Sequence, residues 1–545
     1  MKNLKYIYIS LGVLAFTACN EPEDVDLEPE VMAEELPALT AGSADFSNFV
    51  SLGNSLTAGF TDGALFQAGQ AMSLPNLLSQ KFSLVGGGSF TQPLTSDNLG
   101  GLAAGGVRIQ DPRLVFGGAG PIPLETALGT SVTVTTDIAL NNPTGPFNNL
   151  GVPGAKSFHL LAPGYGNISN VELGLANPYF VRMTGATPNA SVLELAVAQA
   201  PSFFSLWGGE NDVLGYATTG GDGTDPITPV SGPPGVGFDG SYEALIATLT
   251  AGGAKGVVAN IPNVLEIPHF TTVPHNPLDP SNPDFGTQIA TLNGIFGQLN
   301  QVYAFLGVPE RSIEFSTTAA SEVIIRDETL IDLSAEIAGV LGASPTFPAF
   351  VQSFGLPAEA APLVASLLGS TYGQTREATA EDLFVLPSST IIGTVNLESV
   401  GALMAAGLPQ TLAGQFSVEG ISLPLADKWV LLPSEQEEII EATAAFNDVI
   451  SSVATQAGLA FVDANSLLNQ LANGGVTSGD FTLTSSLVTG SAFSLDGVHP
   501  TARGYALLAN EFMKAIDVTY GSNFEASGNL FNVGDYPTNF PATLQ

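Results

Sequence analysis

Cysteine is almost missing from this 545-residue chain: the one copy is Cys19. A mature protein beginning there has no internal disulfide, so its fold rests on burial rather than covalent staples. Positive charge is scarce as well. Fourteen Lys and Arg stand against 51 Asp and Glu, for a formal net charge of -37. A chain this acidic repels phosphate backbones and anionic headgroups, which argues against nucleic acid as a partner and against unaided docking on a membrane. No stretch of roughly eighteen or more uninterrupted apolar residues occurs, so no transmembrane helix is expected. Nor is there a G-X-Y period or any other fixed repeat, and the 61 Gly and 37 Pro mark turns and long loops. What the chain has in quantity is apolar material: hydrophobic residues make up 45% of it, which excludes a mainly disordered protein.

The N-terminus is a secretory signal. Lys2 and Lys5 form a basic start, Tyr6 to Phe16 is apolar but too short for a stable span, and Thr17-Ala18 leads into Cys19. The end of this segment resembles a bacterial lipobox, in which the cysteine is lipidated and becomes the mature N-terminus. Phe16 stands where that pattern has an aliphatic residue. The alternative is a plain signal peptide with an incidental cysteine. The lipobox implies a protein secreted across the inner membrane and held by acyl chains, at the outer membrane of a Gram-negative bacterium. Residues 20–44 carry Glu21, Glu23, Asp24, Asp26, Glu28 and Glu30 and read as an acidic tether. Its acidity so soon after Cys19 is similar to signals that send some lipoproteins to the cell surface.

Past the tether the pattern is α/β. The apolar run Phe49-Val50-Ser51-Leu52 breaks at Gly53 and continues as Asn54-Ser55-Leu56-Thr57-Ala58-Gly59, a strand ending in a tight turn into a helix. Ser73 to Gln80 suits a short helix with Pro75 early. From about 86 to 146 the chain is a Gly-rich excursion with β-prone pieces such as Ser131 to Thr135. Ser202 to Trp207 and Gly256 to Ile261 read as buried strands, and Tyr242 to Leu249 as a helix. The pattern loosens from about 264 to 433. It returns with a helix from Ser434-Glu435-Gln436-Glu437 to about Ala457, a strand at Leu459 to Asp463, and a last helix from near Pro500. Residues 521–545 read as an irregular tail.

Chemistry-bearing residues sit at the ends of these elements. Ser55 offers a hydroxyl and a backbone N–H at the carboxyl edge of a parallel sheet, where open α/β folds keep their ligand crevice. Asp496-Gly497-Val498-His499-Pro500 sets a carboxylate three residues before an imidazole. That spacing lets the acid reach the ring's far nitrogen and fix its tautomer, and Pro500 suits a first helical position. The Asn211 amide is a neutral double donor for a developing oxyanion, and Gly154 offers a backbone N–H with no side chain in the way. Each alone is more simply a cap or turn residue. His269 and His275 sit in a Pro-rich loop without a spaced third ligand, so no metal site is expected.

Taken in order, Gly53-Asn54-Ser55-Leu56, Asn149-Leu150-Gly151-Val152-Pro153-Gly154, Gly209-Glu210-Asn211-Asp212 and Asp496-Gly497-Val498-His499-Pro500 resemble the blocks of the SGNH (GDSL) hydrolase family. The resemblance implies a three-layer α/β/α sandwich with a mostly parallel sheet, and ester hydrolysis through an acyl-enzyme without metal or cofactor. It makes Ser55 the nucleophile, His499 the general base and Asp496 the orienting acid. The oxyanion hole is then the N–H of Ser55, the N–H of Gly154 and the Asn211 side chain. The substrate class is a carboxylic ester, of a lipid or an acylated glycan. Two other readings stay open: a carbohydrate O-acetyl esterase of the same family, and a surface lipoprotein that binds glycan or lipid without catalysis.

This chain departs from the family in two respects. Asn54 stands where the family has Asp, and the blocks are spread over far more than the roughly 100–250 residues of a compact domain. The hydrolase-like domain is expected over 45–520, with insertions at about 86–146 and 264–433. In the second insertion Phe347, Phe350, Val351, Phe354, Leu356, Leu363, Leu367 and Leu368 form either a lid that takes an acyl chain or a subsidiary core.

Overall fold

Five apolar segments make one parallel sheet: β1 (Phe49–Gly53), β2 (Asn149–Gly151), β3 (Phe203–Trp207), β4 (Lys255–Ala259) and β5 (Ala460–Val462). In β1 and β3 every residue is buried, as expected of strands covered on both faces. The computed structural model describes residues 36–544. The signal segment, Cys19 and the tether as far as residue 35 lie outside the described residues.

The strand order is β5-β4-β3-β1-β2, all parallel, with Phe49 opposite Phe203 and Ser51 opposite Asn149. The order reverses between β1 and β3, because the chain leaves β1 toward one edge and leaves β3 toward the other. In open α/β sheets the ligand crevice lies beyond the carboxyl ends of the strands at such a reversal. Ser55 follows β1 and Asn211 follows β3, so both stand there.

Helices cover the sheet in two groups. The helices Phe238–Thr250 and Pro433–Ala457 pack on each other, while Leu74–Phe82 packs on Ala502–Tyr520, which also covers β5. The helix Pro433–Ala457 shows the sequence logic plainly. Proline opens it, the Glu435 carboxylate reaches back to accept from Leu432 N at 2.7 Å, and Ile439, Ala442, Phe446, Ile450 and Ala454 form the buried stripe. It stops at Gly458 in the left-handed conformation.

The β-prone Ser131 to Thr135 lies in loop, as a loop-rich excursion implies: Val132 N donates to Glu125 and the Thr135 hydroxyl to Asp97, so side chains take the bonds a neighbouring strand would take. Three readings of the sequence need correction. Pro500 is not in the last helix, which begins at Ala502 with Thr501 as its cap, accepting from Gly504 N at 3.0 Å. His269 is not a loop residue; it lies in the short helix Pro268–Thr271 and is buried. The end of the tether is part of the folded unit, which begins at Ala38. Thr40 N donates to Asn523 Oδ1 at 2.7 Å and Ser43 N to Tyr520 O at 2.8 Å.

The second insertion carries a core of its own. Phe347, Val351 and Leu368 are buried in it beside Phe296, Tyr303 and Tyr372, and Phe350 and Leu356 pack against it. The helices Ile289–Leu306, Ser334–Ala343 and Ala361–Tyr372 frame this core. None of the eight residues named as a lid borders a cavity at the site. The excursion at 86–146 is built of two hairpins and one short helix. The tail from 521 has only a single 3-10 turn, yet it is docked, with the Arg113 guanidinium donating to Phe540 O and Pro541 O. Among the described residues no helix is long and apolar enough to cross a membrane.

Candidate active site

The turn after β1 is set by Gly53. A Cβ there would lie 2.0 Å from Trp207 O, so only glycine lets β1 pass β3 at this point. Asn54 then caps the short helix Ser55–Ala58, its Oδ1 accepting from Leu56 N at 2.9 Å. This leaves Ser55 on the first helical residue, where its backbone N–H has no intrahelical acceptor. Among the described residues neither the Ser55 N–H nor its hydroxyl makes a hydrogen bond within the protein.

Asn54 does more than cap. Its amide donates to the carboxylate of Glu210, a fully buried residue immediately before Asn211. Burial pushes Glu210 up to about 7, against the pull of the Asn54 bond. An ionised aspartate cannot make this bond, which gives the departure from the family pattern a physical reason: the amide joins the Ser55 turn to the Asn211 turn. Asn54→Asp therefore sets two carboxylates face to face. Protonated Glu210 can donate to the new acid at pH 5; above 7, where Glu210 beside Asn54 gives up its proton, the variant must either hold that proton against solvent or carry two facing charges. We expect Asn54→Asp to cost little at pH 5 and about 1–3 kcal/mol at pH 8, read from denaturant midpoints at both pH values. An equal loss at both would show that Glu210 carries no proton there.

The acid–imidazole pair is tightly held. Asp496 Oδ1 accepts from Ser494 Oγ at 3.0 Å and from the backbone N–H groups of Val498 and His499 at 2.9 Å each. Its Oδ2 accepts from Gly63 N and meets His499 Nδ1, both at 2.8 Å. Burial opposes the charge, but the facing His499 and these donors outweigh it and hold the Asp496 carboxyl well below the usual carboxylate range. The Phe60 ring packs against the His499 ring at 4.6 Å between centroids.

Asn211 opens the helix Asn211–Thr218, and its Nδ2 donates to Ala155 O at 3.0 Å, leaving the second amide hydrogen free of that bond. The same loop carries Gly154, whose positive φ of 80° is a glycine conformation. Val152 N donates to Gly53 O at 2.9 Å, and Asn177 Nδ2 to Pro153 O at 2.7 Å. Gly154 is thus held between a residue bonded to the Ser55 turn and one bonded to Asn211. Its N–H donates to no other described residue.

Ser55, Asn211 and His499 border one cavity of about 80 Å³ together with Asn54 and Glu210. No hydrogen bond links Ser55 to His499. Catalytic hydrogen bonds are often long in the absence of substrate, so the shared cavity is the relevant juxtaposition. No protein-family model, curated protein or solved structure matches this chain.

Several neighbours escape sequence reasoning. Asp62 accepts from Leu495 N at 3.1 Å and its own N donates to Ser494 Oγ at 3.0 Å, so this residue props the Asp496 turn from the far end of the chain. Burial pushes it up to about 7. His269 packs beside Gly497, its N donating to Gly497 O at 2.9 Å, and burial pushes its imidazole down to about 4, which keeps it neutral. No local pattern marks these residues. Only the proximity of Asp62-Gly63 to Ser55 in the chain hints at a shared site.

Proposed function

We propose that the protein is a serine esterase of the SGNH (GDSL) hydrolase type. One observation carries this: an imidazole paired with an aspartate at 2.8 Å borders the same small cavity as a serine and a neutral amide donor. The all-parallel sheet, its reversal at β1 and β3 and the two helix groups support the three-layer α/β/α architecture of that family.

Ser55 Oγ attacks the ester carbonyl carbon while His499 Nε2 takes its proton. The carbonyl oxygen becomes an oxyanion facing the Ser55 N–H, the Gly154 N–H and the Asn211 amide. All three are neutral donors with nothing to reorganise, and one such donor is worth about 2.7–4 kcal/mol in a comparable serine hydrolase. Asp496 stabilises the imidazolium and keeps the other ring nitrogen protonated. The carbon–oxygen bond to the alcohol then breaks as His499 returns the proton to the leaving oxygen. Water, activated by the neutral His499, cleaves the acyl-enzyme and releases the acid.

The lipobox reading completes the proposal, with the enzyme secreted and held at the outer membrane through a lipid on Cys19. A fluorophosphonate probe tests the catalytic claim directly. We expect one covalent adduct, mapped by peptide mass spectrometry to the Ser55 peptide. Failure to label the folded protein at neutral pH would favour the reading as a non-catalytic binding lipoprotein.

A further inference from the structure

His499 borders two cavities, and they differ sharply. The one it shares with Ser55 and Asn211 is a slot of about 80 Å³, walled by Leu467, Leu468 and Leu471 of the helix Ala464–Ala472 and by Leu507 and Leu508 of the last helix. The second is a chamber of about 1460 Å³ enclosed by the 86–146 excursion, the 264–433 insertion and the segment around Asp496. It touches His499 and Asp496 but not Ser55 or Asn211.

We infer that the two cavities divide the ester between them: the slot takes a compact apolar acyl group, and the chamber takes a large, uncharged, apolar alcohol. This rests on the esterase reading above. The acyl carbon must bond to Ser55 with its oxygen toward Asn211, and both groups lie on the slot. The alkyl part of the acid therefore enters the slot, whose volume is about half of the ~150 Å³ that admits a benzene ring. The leaving oxygen must face His499 to receive its proton. The other large open space on that residue is the chamber, which exceeds the ~300–1,000 Å³ of a site for a drug-sized ligand.

The chamber wall also says what the alcohol is. Val273, Leu278, Ile392, Val395, Val418 and Ile421 supply aliphatic surface from the insertion. No lysine or arginine of the described residues borders it, and Asp279 and Asp284 do. An anionic headgroup finds no counter-charge there. The wall also carries the rings of Phe60, Phe116 and Phe285 and scattered polar groups such as Asn282, Gln288 and Gln415, so it suits an uncharged, mainly hydrocarbon alcohol that bears a few polar groups.

Two ester series read this out on the full-length protein. In ethyl esters of straight-chain acids, kcat/KM should peak at acids of a few carbons and fall at least tenfold by decanoate. In acetates of neutral alcohols from ethanol to a steroid, it should rise by about fourfold for each methylene newly buried, the fold-change that corresponds to about 0.8 kcal/mol. Leu471→Ala should move the optimum of the first series to longer acids. Val395→Trp, at a half-exposed position on the chamber wall, should lower the ratio of steroid acetate to ethyl acetate turnover. Preference for long acids over bulky alcohols overturns the assignment, as does faster release of acetate from acetylated xylan than from the steroid ester. In both of those cases Ser55 is still labelled by the fluorophosphonate. Absence of labelling together with absence of turnover defeats the esterase reading itself, and this inference with it.

Discussion

On the proposed mechanism, Ser55→Ala is expected to lower ester turnover by about 10⁶-fold in kcat while leaving the fold intact. That is the scale at which a serine hydrolase loses its nucleophile, and what remains is the contribution of the oxyanion donors and of substrate binding. Intact folding is expected because the Ser55 hydroxyl makes no hydrogen bond among the described residues and the turn is built by its neighbours. Gly53 sets the crossing of β3, Asn54 caps the helix, and Asn54 and Glu210 tie the turn to the Asn211 loop. Removing the hydroxyl orphans nothing. Circular dichroism and melting of the variant should therefore match the parent. If the variant still turns over acetate esters within tenfold of the parent rate, the nucleophile is elsewhere.

Asp496→Asn comes next in size, with an expected loss of about 10⁴-fold in kcat. The carboxylate accepts from five donors, three on Oδ1 and two on Oδ2. An amide has a single acceptor oxygen, so one set of donors must face an N–H₂ group. If the carbonyl keeps the three, Gly63 N–H confronts a donor and His499 Nδ1 must accept. The ring proton then sits on Nε2, facing Ser55, where a base cannot act. If the carbonyl turns to His499 and Gly63 instead, the backbone N–H groups of Val498 and His499 are left against the amide and the turn loses its clamp. Both orientations cost activity, and both cost some stability, so kcat is to be compared at a temperature where melting shows the variant folded. A loss under a hundredfold there would remove Asp496 from the role given to it.

What the sequence made legible was local. The strand, tight turn and helix from Phe49 to Gly59 are written in adjacent residues, as are the Asp496 and His499 spacing and the glycine at 154. Helix ends at Glu435 and Gly458 follow from capping chemistry that acts over three or four positions. Contacts across the chain were not legible. Glu210 is a charged residue in a turn and reads as solvated, whereas it is buried against Asn54. Asp62 looks like an ordinary turn aspartate, yet it carries the segment around Ser494. The insertion misled for a related reason. Its most apolar stretch, from Phe347 to Leu368, has a core of its own to fill, and the chamber is lined from weaker and more scattered segments. Hydrophobicity marks what is buried, but it does not say against what.

The chain enters the folded unit far from the serine. Ser43 bonds to Tyr520, and the Tyr520 hydroxyl bonds to Gly256 at the beginning of β4, whereas Ser55 and Asn211 follow the ends of β1 and β3. Entry and mouth lie at opposite edges of one parallel sheet. Attachment at Ala38 thus leaves the Ser55 end of the strands unobstructed, and the protein held on beads at that point should react with a fluorophosphonate as it does free in solution.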